Sequence, residues 1–285
     1  MAFIECEALG HIYLKGTPME TVALQEVTLR IDEGEFVALI GPTGSGKSTL
    51  VQHFNALLRP TSGTVRVGGV DLSAPRADLQ AVRRQVGMLF QYPEHQLFEE
   101  TVAEDVAFGP RNLGLSEDEV QARVAEALRA VGLDPAVFGP RSPFSLSGGE
   151  MRRVAAAGVL AMAPRVLILD EPAAGLDPRG KAEILGHFRA LHVRRGTTIV
   201  LITHDMDEVA ALAQRVIVLD RGRVVMDGPV REVFTRADEL QALGLGVPAA
   251  TDVARRLRAR GLPVREDVLT AEEARIAIRE ALRWN

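Results

Sequence analysis

Residues 41–49 read Gly41-Pro42-Thr43-Gly44-Ser45-Gly46-Lys47-Ser48-Thr49. The stretch satisfies the spacing G-x-x-x-x-G-K-[ST]. It follows an apolar run at 35–40 and precedes a helix-compatible stretch at 47–58 that Arg59-Pro60 would end. Strand, glycine-rich loop and helix, in that order, make a cradle for phosphate. The glycines let backbone N–H groups curl around an anion, and the helix N-terminus adds a fixed positive end. Lys47 would reach the β- and γ-phosphates of a nucleotide, and the Ser48 hydroxyl would ligate Mg2+. With 26 glycines and three lysines in 285 residues, about 0.002 chance matches are expected in such a chain. The three lysines (Lys15, Lys47, Lys181) stand against 30 arginines. The loop therefore keeps a compact ammonium where a planar guanidinium would not substitute.

A second stretch gains meaning from the first. Residues 165–172, RVLILDEP, form an apolar strand pattern ending in two acids. In isolation such a pair reads as a strand-end turn. Beside a phosphate loop, Asp170 suits the carboxylate that holds the magnesium hydration shell. Glu171, on the other side of the strand, suits the acceptor of a proton from attacking water. Adjacent acids at the end of a buried strand are costly unless something positive sits there.

Further out, short β-like runs lie at 3–8, 22–31 and 35–40. The second alternates, with Val27, Leu29 and Ile31 apolar between Thr28 and Arg30, as a half-buried strand does. The third is continuously apolar, as a fully buried strand is. A turn at 61–63 leads into a strand at 64–67. Ser116 with Glu119 predicts a capping box for a helix to about Val131, with Val120, Val124, Ala127 and Leu128 on one face and Gly132 closing it. Another helix is expected at 149–163, ended by Pro164. Runs at 166–169, 181–193, 198–202, 206–213 and 216–219 then alternate strand and helix, which predicts a parallel sheet. Asp220-Arg221-Gly222 suggests a hairpin turn into 224–226. Beyond Pro229 come two helical patterns, 252–260 and 271–282, split by Gly261-Leu262-Pro263. Thr270 with Glu273 reads as a capping box for the last, whose apolar stripe is Ala274, Ile278, Ala281 and Leu282.

Composition narrows the classes. Apolar residues make up 47% and charged residues 25%, ordinary for a globular chain. A net charge of −5 gives no strong basic field for nucleic acid or anionic lipid. Cys6 is the single cysteine, which excludes a disulfide framework and a cysteine-rich metal site. No apolar run approaches the ~18 residues of a membrane span, and the opening MAFIECEALG lacks the basic head and apolar stretch of a signal peptide. These features are expected of a cytoplasmic, water-soluble chain.

Leu146-Ser147-Gly148-Gly149-Glu150 opens a helix between the two motifs. Taken with them, it strongly resembles the signature of ATP-binding-cassette (ABC) ATPases. Gln91, after the run 86–90, matches that family's Q-loop glutamine. Ala174-Gly175-Leu176-Asp177 matches the D-loop, and His204, after 198–202, matches the switch histidine. Tyr13, 34 positions before Lys47, resembles the aromatic that stacks on adenine, with His11 a neighbouring flat ring. The resemblance covers about residues 3–235. It implies an α/β fold, an ABC-type P-loop ATPase domain with a parallel-sheet RecA-like core, an N-terminal antiparallel β subdomain and a helical signature subdomain. The nucleotide-binding domain would span 1–235, its helical subdomain about 92–163, and a small helical C-terminal extension 236–285. The implied cofactors are ATP and Mg2+. Catalysis would fall to Glu171, His204, Gln91 and Lys47, and the metal to Ser48, Gln91 and Asp170. ATP would be bound by Tyr13, by Gly41, Pro42, Thr43, Gly44, Ser45, Gly46, Lys47, Ser48 and Thr49, and by Ser147, Gly148, Gly149, Glu150 and Asp177. Glu150 departs from the more usual glutamine. The implied mechanism is a dimer that sandwiches two ATP molecules, each between the phosphate loop of one subunit and the signature of the other.

The gap from Thr49 to Ser147 is about 97 residues, too short for the coiled coils or zinc-bearing insertions of the repair and chromosome relatives. One cassette and no membrane helices leave a separate ATPase subunit of a transporter. Residues 91–102 (QYPEHQLFEETV), 106–112 and 143–155 closely resemble the ATPase subunits of energy-coupling factor (ECF) importers of vitamins and metal ions. So do Leu243-Gly244-Leu245, Pro248, Gly261-Leu262-Pro263 and 267–270 in the tail. Of the two ATPases such importers use, this chain is more similar to the second, EcfA2, type. Cobalt or nickel importer ATPases are close relatives and stay open as the alternative, followed by a non-transport cassette ATPase. The implied partners are a second ABC ATPase subunit (in a heterodimer or a homodimer), a transmembrane coupling subunit and a substrate-binding membrane subunit, with no nucleic acid. The implied location is peripheral, on the cytoplasmic face of the cell membrane. Glu94, Glu99, Glu100 and Asp105 would pair with arginines of the coupling subunit or form a solvated acidic face. The Ile278/Leu282 stripe would pack on the partner ATPase or within the chain.

Overall fold

The computed structural model describes residues 2–282. Its first elements are β1 (Ala2–Tyr13), β2 (Thr21–Asp32), β3 (Phe36–Ile40), α1 (Lys47–Phe54), β4 (Ser62–Val67), β5 (Val70–Asp71), α2 (Leu79–Gln85) and β6 (Val86–Leu89). A helical stretch follows with α3 (Val102–Asn112), α4 (Glu117–Ala130), α5 (Pro135–Phe138) and α6 (Gly148–Ala161). Then come β7 (Val166–Asp170), α7 (Pro178–Arg195), β8 (Thr198–Ile202), α8 (Met206–Leu212), β9 (Arg215–Asp220) and β10 (Arg223–Pro229). Among the described residues, four helices come last: α9 (Val230–Thr235), α10 (Ala237–Ala242), α11 (Ala249–Ala259) and α12 (Ala271–Ala281).

Two sheets result. One has the order β2-β1-β4-β5, and its pairings are antiparallel. The other has the order β10-β9-β3-β8-β7-β6; it is parallel except for the hairpin partner β10 at its edge. Every residue of β3, β7 and β8 is buried, which is why their sequences are apolar without alternation. Alternation reappears in where the side chains go. Phe36, Ala38, Ile40, Leu167, Leu169, Ile199 and Leu201 join the core beneath the helices. Val37, Leu39, Val166, Ile168, Val200 and Ile202 join the core shared with the antiparallel sheet and α1. The period of two thus sets these strands between two cores and aligns their carboxyl ends along one edge.

Several boundaries depart from the sequence reading. Helix α1 stops at Phe54 rather than near 58: Ala56 turns to φ 57°, and the Asn55 side chain accepts the Leu57 N–H at 3.1 Å. Asparagine here offers the backbone a local alternative to another turn. Helix α7 starts at Pro178, three residues early, because Asp177 caps it and proline suits the first turn. The capping box at Ser116 and Glu119 forms. The one at Thr270 forms by half. Thr270 accepts the Glu273 N–H at 3.2 Å, but Glu273 reaches back to the Leu269 N–H at 2.8 Å and pairs with Arg231 of α9.

The tail has a small core of its own, Ala250, Ala254, Val264, Val268, Ala274 and Ala277, with Ile278 and Ala281 packed on it. Of the two explanations for the apolar stripe, docking within the chain accounts for Ile278. Leu282 stays 37% exposed. Leu243, Leu245 and Val247 lead into this tail against the main core, and the Ala249 N–H donates to Asp207 Oδ1 of α8 at 2.9 Å. Among the described residues no helix is long and apolar enough to cross a membrane.

Candidate active site

The phosphate loop joins β3 to α1. Gly46 precedes the helix at φ 102°, and a Cβ there would stand 2.6 Å from the Ala23 carbonyl. Both the conformation and the space demand glycine. At Gly41 a Cβ would come within 2.1 Å of the Leu219 carbonyl oxygen. The Lys47 ammonium folds back over the loop and donates to the carbonyls of Gly41 and Pro42 at 2.8 and 2.9 Å. Burial pulls its pKa below the usual lysine value, while Glu171 and Asp170 pull it back up.

Asp170 ends strand β7, one strand beyond β8 from the loop, is 9% exposed, and accepts a long hydrogen bond from Ser48 Oγ at 3.5 Å. Burial first, and the adjacent Glu171 second, raise its pKa above the ordinary carboxylate range, against opposing effects from Ser48 and Lys47. One residue on, Glu171 adopts φ 52° and donates its N–H to the Ile202 carbonyl at 2.9 Å. That turn aims its carboxylate at the end of β8, where His204 Nδ1 lies 2.8 Å away. The hydrogen bond to Glu171 and that residue's charge hold the His204 pKa above the usual imidazole value. Lys47, Ser48, Asp170, Glu171 and His204 are therefore gathered along one sheet edge by three adjacent parallel strands. Gln91 is exposed on the bend after β6 and is not hydrogen-bonded to Ser48 or Asp170.

Tyr13 reaches the same region from β1, its hydroxyl 3.2 Å from Thr49 Oγ1. Of the two flat rings there, Tyr13 is 37% exposed and His11 is buried behind it, edge-on at 4.5 Å. His11 in turn meets His53 of α1 at 4.9 Å. Burial lowers the His53 pKa to about 4. The neutral ring donates Nδ1–H to the Thr49 carbonyl at 2.7 Å.

The signature forms a different surface. Ser147 caps α6, and Glu150 completes a capping box: its Oε2 accepts from the Ser147 N–H and Oγ, both at 2.8 Å. These bonds hold the Glu150 pKa below the usual carboxylate range. The glutamate that departs from the family's glutamine thus has a structural task at a helix N-terminus, where its charge is also favourable. Ser147, Gly149, Arg152, Gly175, Asp177 and Gly180 line a cleft of about 490 Å³ that no residue of the phosphate loop lines. The Arg152 guanidinium ties α6 to the D-loop by donating to the Ala174 carbonyl. The residues expected to bind ATP therefore fall into two separate groups.

Motif spacing did not single out two further features. Lys181 of α7 pairs with Asp205 and Glu208 beside His204; its one signal in the sequence was the scarcity of lysine. A groove of about 430 Å³ follows the Q-loop segment, lined by Gln96, Phe98, Phe108, Asn112, Arg84 and Met162 among others. Of the acids expected to face a partner there, Asp105 is already engaged, its Oδ2 accepting from the N–H groups of Phe98 and Glu99 at 2.9 and 3.0 Å. Glu99 is half-buried and Glu100 exposed, while the Glu94 side chain lies outside the described residues.

A profile of the ABC transporter family matches residues 24–174. The chain is 59% identical over 276 residues to the energy-coupling factor transporter ATP-binding protein EcfA2 of Symbiobacterium thermophilum, covering 97% of this chain and 95% of that one. The chain belongs to the EcfA2 family of ABC transporter ATPases. Its identity to the EcfA2 of Clostridium perfringens is 50% over 282 residues, 99% of each chain. Among solved structures, cbiO1 of Clostridium perfringens, part of the ABC transporter complex cbiONQ, superposes with a TM-score of 0.73 at 38% identity, over 85% of this chain and 94% of that one. The dimeric cassette MJ0796, in a post-hydrolysis state bound to ADP and Pi, gives 0.71 at 31% identity, over 80% of this chain and 98% of that one. Membership in the family makes this an ATP-binding ABC ATPase that hydrolyses ATP.

Proposed function

We propose that this EcfA2-family chain is the motor subunit of an ECF importer for vitamins or metal ions and works as half of an ATPase dimer. The observation that carries the reading is the division of the site. Lys47, Ser48, Asp170, Glu171 and His204 share one edge, whereas Ser147, Gly149 and Asp177 line a cleft apart from the loop. A chain with two half-sites needs a second chain to complete either one, and the likeness to a cassette seen as a dimer supports this. The partner ATPase would be a related chain or a second copy.

Each residue then has a task. The loop amides and Lys47 hold the phosphates, and Tyr13 offers a face to the base. Ser48 and Asp170 are hard oxygen donors set side by side, which suits Mg2+, an ion that keeps waters and takes few protein ligands. Gln91 would join them on movement of its loop. When bound, the magnesium ion neutralises charge on the phosphates. Glu171 accepts the proton of the attacking water, and His204 holds the carboxylate in place. From the other chain, Ser147 with the amides of Gly148 and Gly149 faces the γ-phosphate at a helix N-terminus.

The groove beside Phe98 and Phe108 would receive a helix of the transmembrane coupling subunit, with a substrate-binding membrane subunit completing the importer. The chain would sit at the cytoplasmic face of the membrane through these partners. The likeness to cbiO1 supports the second reading, an ATPase of a dedicated cobalt or nickel importer. The higher identity to the EcfA2 relatives favours the first. Tagged chain co-expressed with its partners is expected to co-purify from detergent-extracted membranes as an ATP-hydrolysing complex. Charge reversal at Glu99 and Glu100 is expected to weaken that assembly several-fold. Intact assembly would remove these acids from the interface, and a chain found only free of membranes would overturn the transporter reading.

A further inference from the structure

The segment that carries His204 is held by a closed polar ring. Asp205 caps α8: its Oδ1 accepts from the N–H groups of Asp207 at 2.9 Å and Glu208 at 3.2 Å. Thr203, on the other side of His204, donates its hydroxyl to Glu208 Oε2 at 2.7 Å and accepts the Asp205 N–H at 3.1 Å. The remaining oxygens of both acids, Asp205 Oδ2 and Glu208 Oε1, meet one cation, the Lys181 ammonium. Glu208 is 7% exposed. Two carboxylates side by side, one of them buried, would repel one another without that charge.

Lys181 does not belong to the switch segment. It lies in the first turn of α7, where its N–H donates to the carbonyl of Asp177, the D-loop residue that caps this helix. Asp177, Gly180 and Gly175 line the cleft that also holds Ser147 and Gly149. Lys181 thus ties the helix that Asp177 caps, through its backbone, to the loop beside Glu171, through its side chain. We propose that Lys181 is a positioning residue that sets His204 against Glu171 according to how the D-loop is seated. The inference rests on the roles given above to Glu171 and His204. Lys181 touches no reacting atom. It acts by holding the 203–208 turn, so its loss should slow the chemical step and spare nucleotide binding.

The test uses the ATPase assembled with its partner subunits. Lys181→Met is expected to lower kcat about ten- to hundred-fold, with the KM for ATP within about two-fold, since small misplacement of a catalytic group costs rate before affinity. Lys181→Arg, which keeps a cation able to bridge two carboxylates, should recover most of the rate. Because Lys181→Met leaves Glu208 unpaired and could unfold the chain, Lys181→Met/Glu208→Gln serves as the folded control and should remain slow. Because the Glu208 charge itself helps to raise the His204 pKa, the ring in that control is compared by NMR with Glu208→Gln alone, and it should titrate lower in the control. A control with wild-type kcat, or with KM rising as much as kcat falls, overturns the proposal. His204→Ala separates the two levels. If it is slow while the control is normal, the positioning role fails and the site reading stands. If His204→Ala itself turns over normally, the site reading fails and the proposal with it.

Discussion

The phosphate-loop edge and the signature cleft are organised in opposite ways. At the loop edge, charges of both signs meet around the buried Asp170 and balance one another. Lys47 rests on backbone carbonyls, Asp170 has its pKa raised by burial, and Glu171 is bonded to His204. At the cleft, the polar groups are helix caps. Ser147 and Asp177 each satisfy the first turn of their own helix, and Arg152 fixes the loop between them. The first surface is shaped by desolvation and the second by backbone satisfaction. On the proposed reading, the loop edge holds the phosphates while catalysis waits for the second chain, and the capped cleft is a finished surface that becomes a site when another chain brings the phosphate.

The largest test of that contrast removes the proposed base. Glu171→Gln should cut turnover by about 10²- to 10⁴-fold while ATP still binds, so that an ATP-trapped dimer accumulates in size-exclusion chromatography. Turnover at the wild-type rate would show that Glu171 is not the base. Ser147→Ala is the matching change on the other surface. In the complex it should lower turnover by about ten- to hundred-fold, and the lost cap should cost about 1 kcal/mol of stability. Nucleotide affinity of the isolated subunit, measured by calorimetry, should not move; an equal loss there would merge the two surfaces into one. The smallest effect is electrostatic. His204 should titrate above its ordinary value near 6.5, because Glu171 favours the charged ring, and Glu171→Gln should bring it back toward that value. The sign for stability follows from a raised folded-state pKa. The pair's contribution is full below the unfolded-state value and is lost as pH rises through the folded one. The ring is largely exposed, so the shift should show in NMR before it shows in melting temperature.

The sequence carried most of the loop edge because its parts are local. Gly46, Lys47 and Ser48 are neighbours, and the Asp170-Glu171 pair sits at the end of a run whose burial is written in its apolar character. The separateness of the cleft was legible only through family resemblance, since nothing in the spacing of Ser147 and Asp177 says which face they share. Two kinds of feature escaped. Side-chain competition for the backbone, as at Asn55 and Glu273, depends on which donor lies nearest once the chain has folded. Long-range ion pairs, such as Lys181 with Asp205 and Glu208 across 24 and 27 positions, leave no period to detect. Lys181 was conspicuous only as one of three lysines in a chain that otherwise uses arginine.

The positive φ of Glu171 has a consequence for engineering. A left-handed backbone at a residue with a Cβ costs about 1 kcal/mol, a strain that glycine would relieve. Glu171→Gly would therefore favour the backbone of this turn while deleting the carboxylate. A screen for heat resistance alone would tolerate changes at this position that a screen for growth on the transported nutrient would discard. Residue 171 is a place where selection for durability and selection for work would be seen to part company.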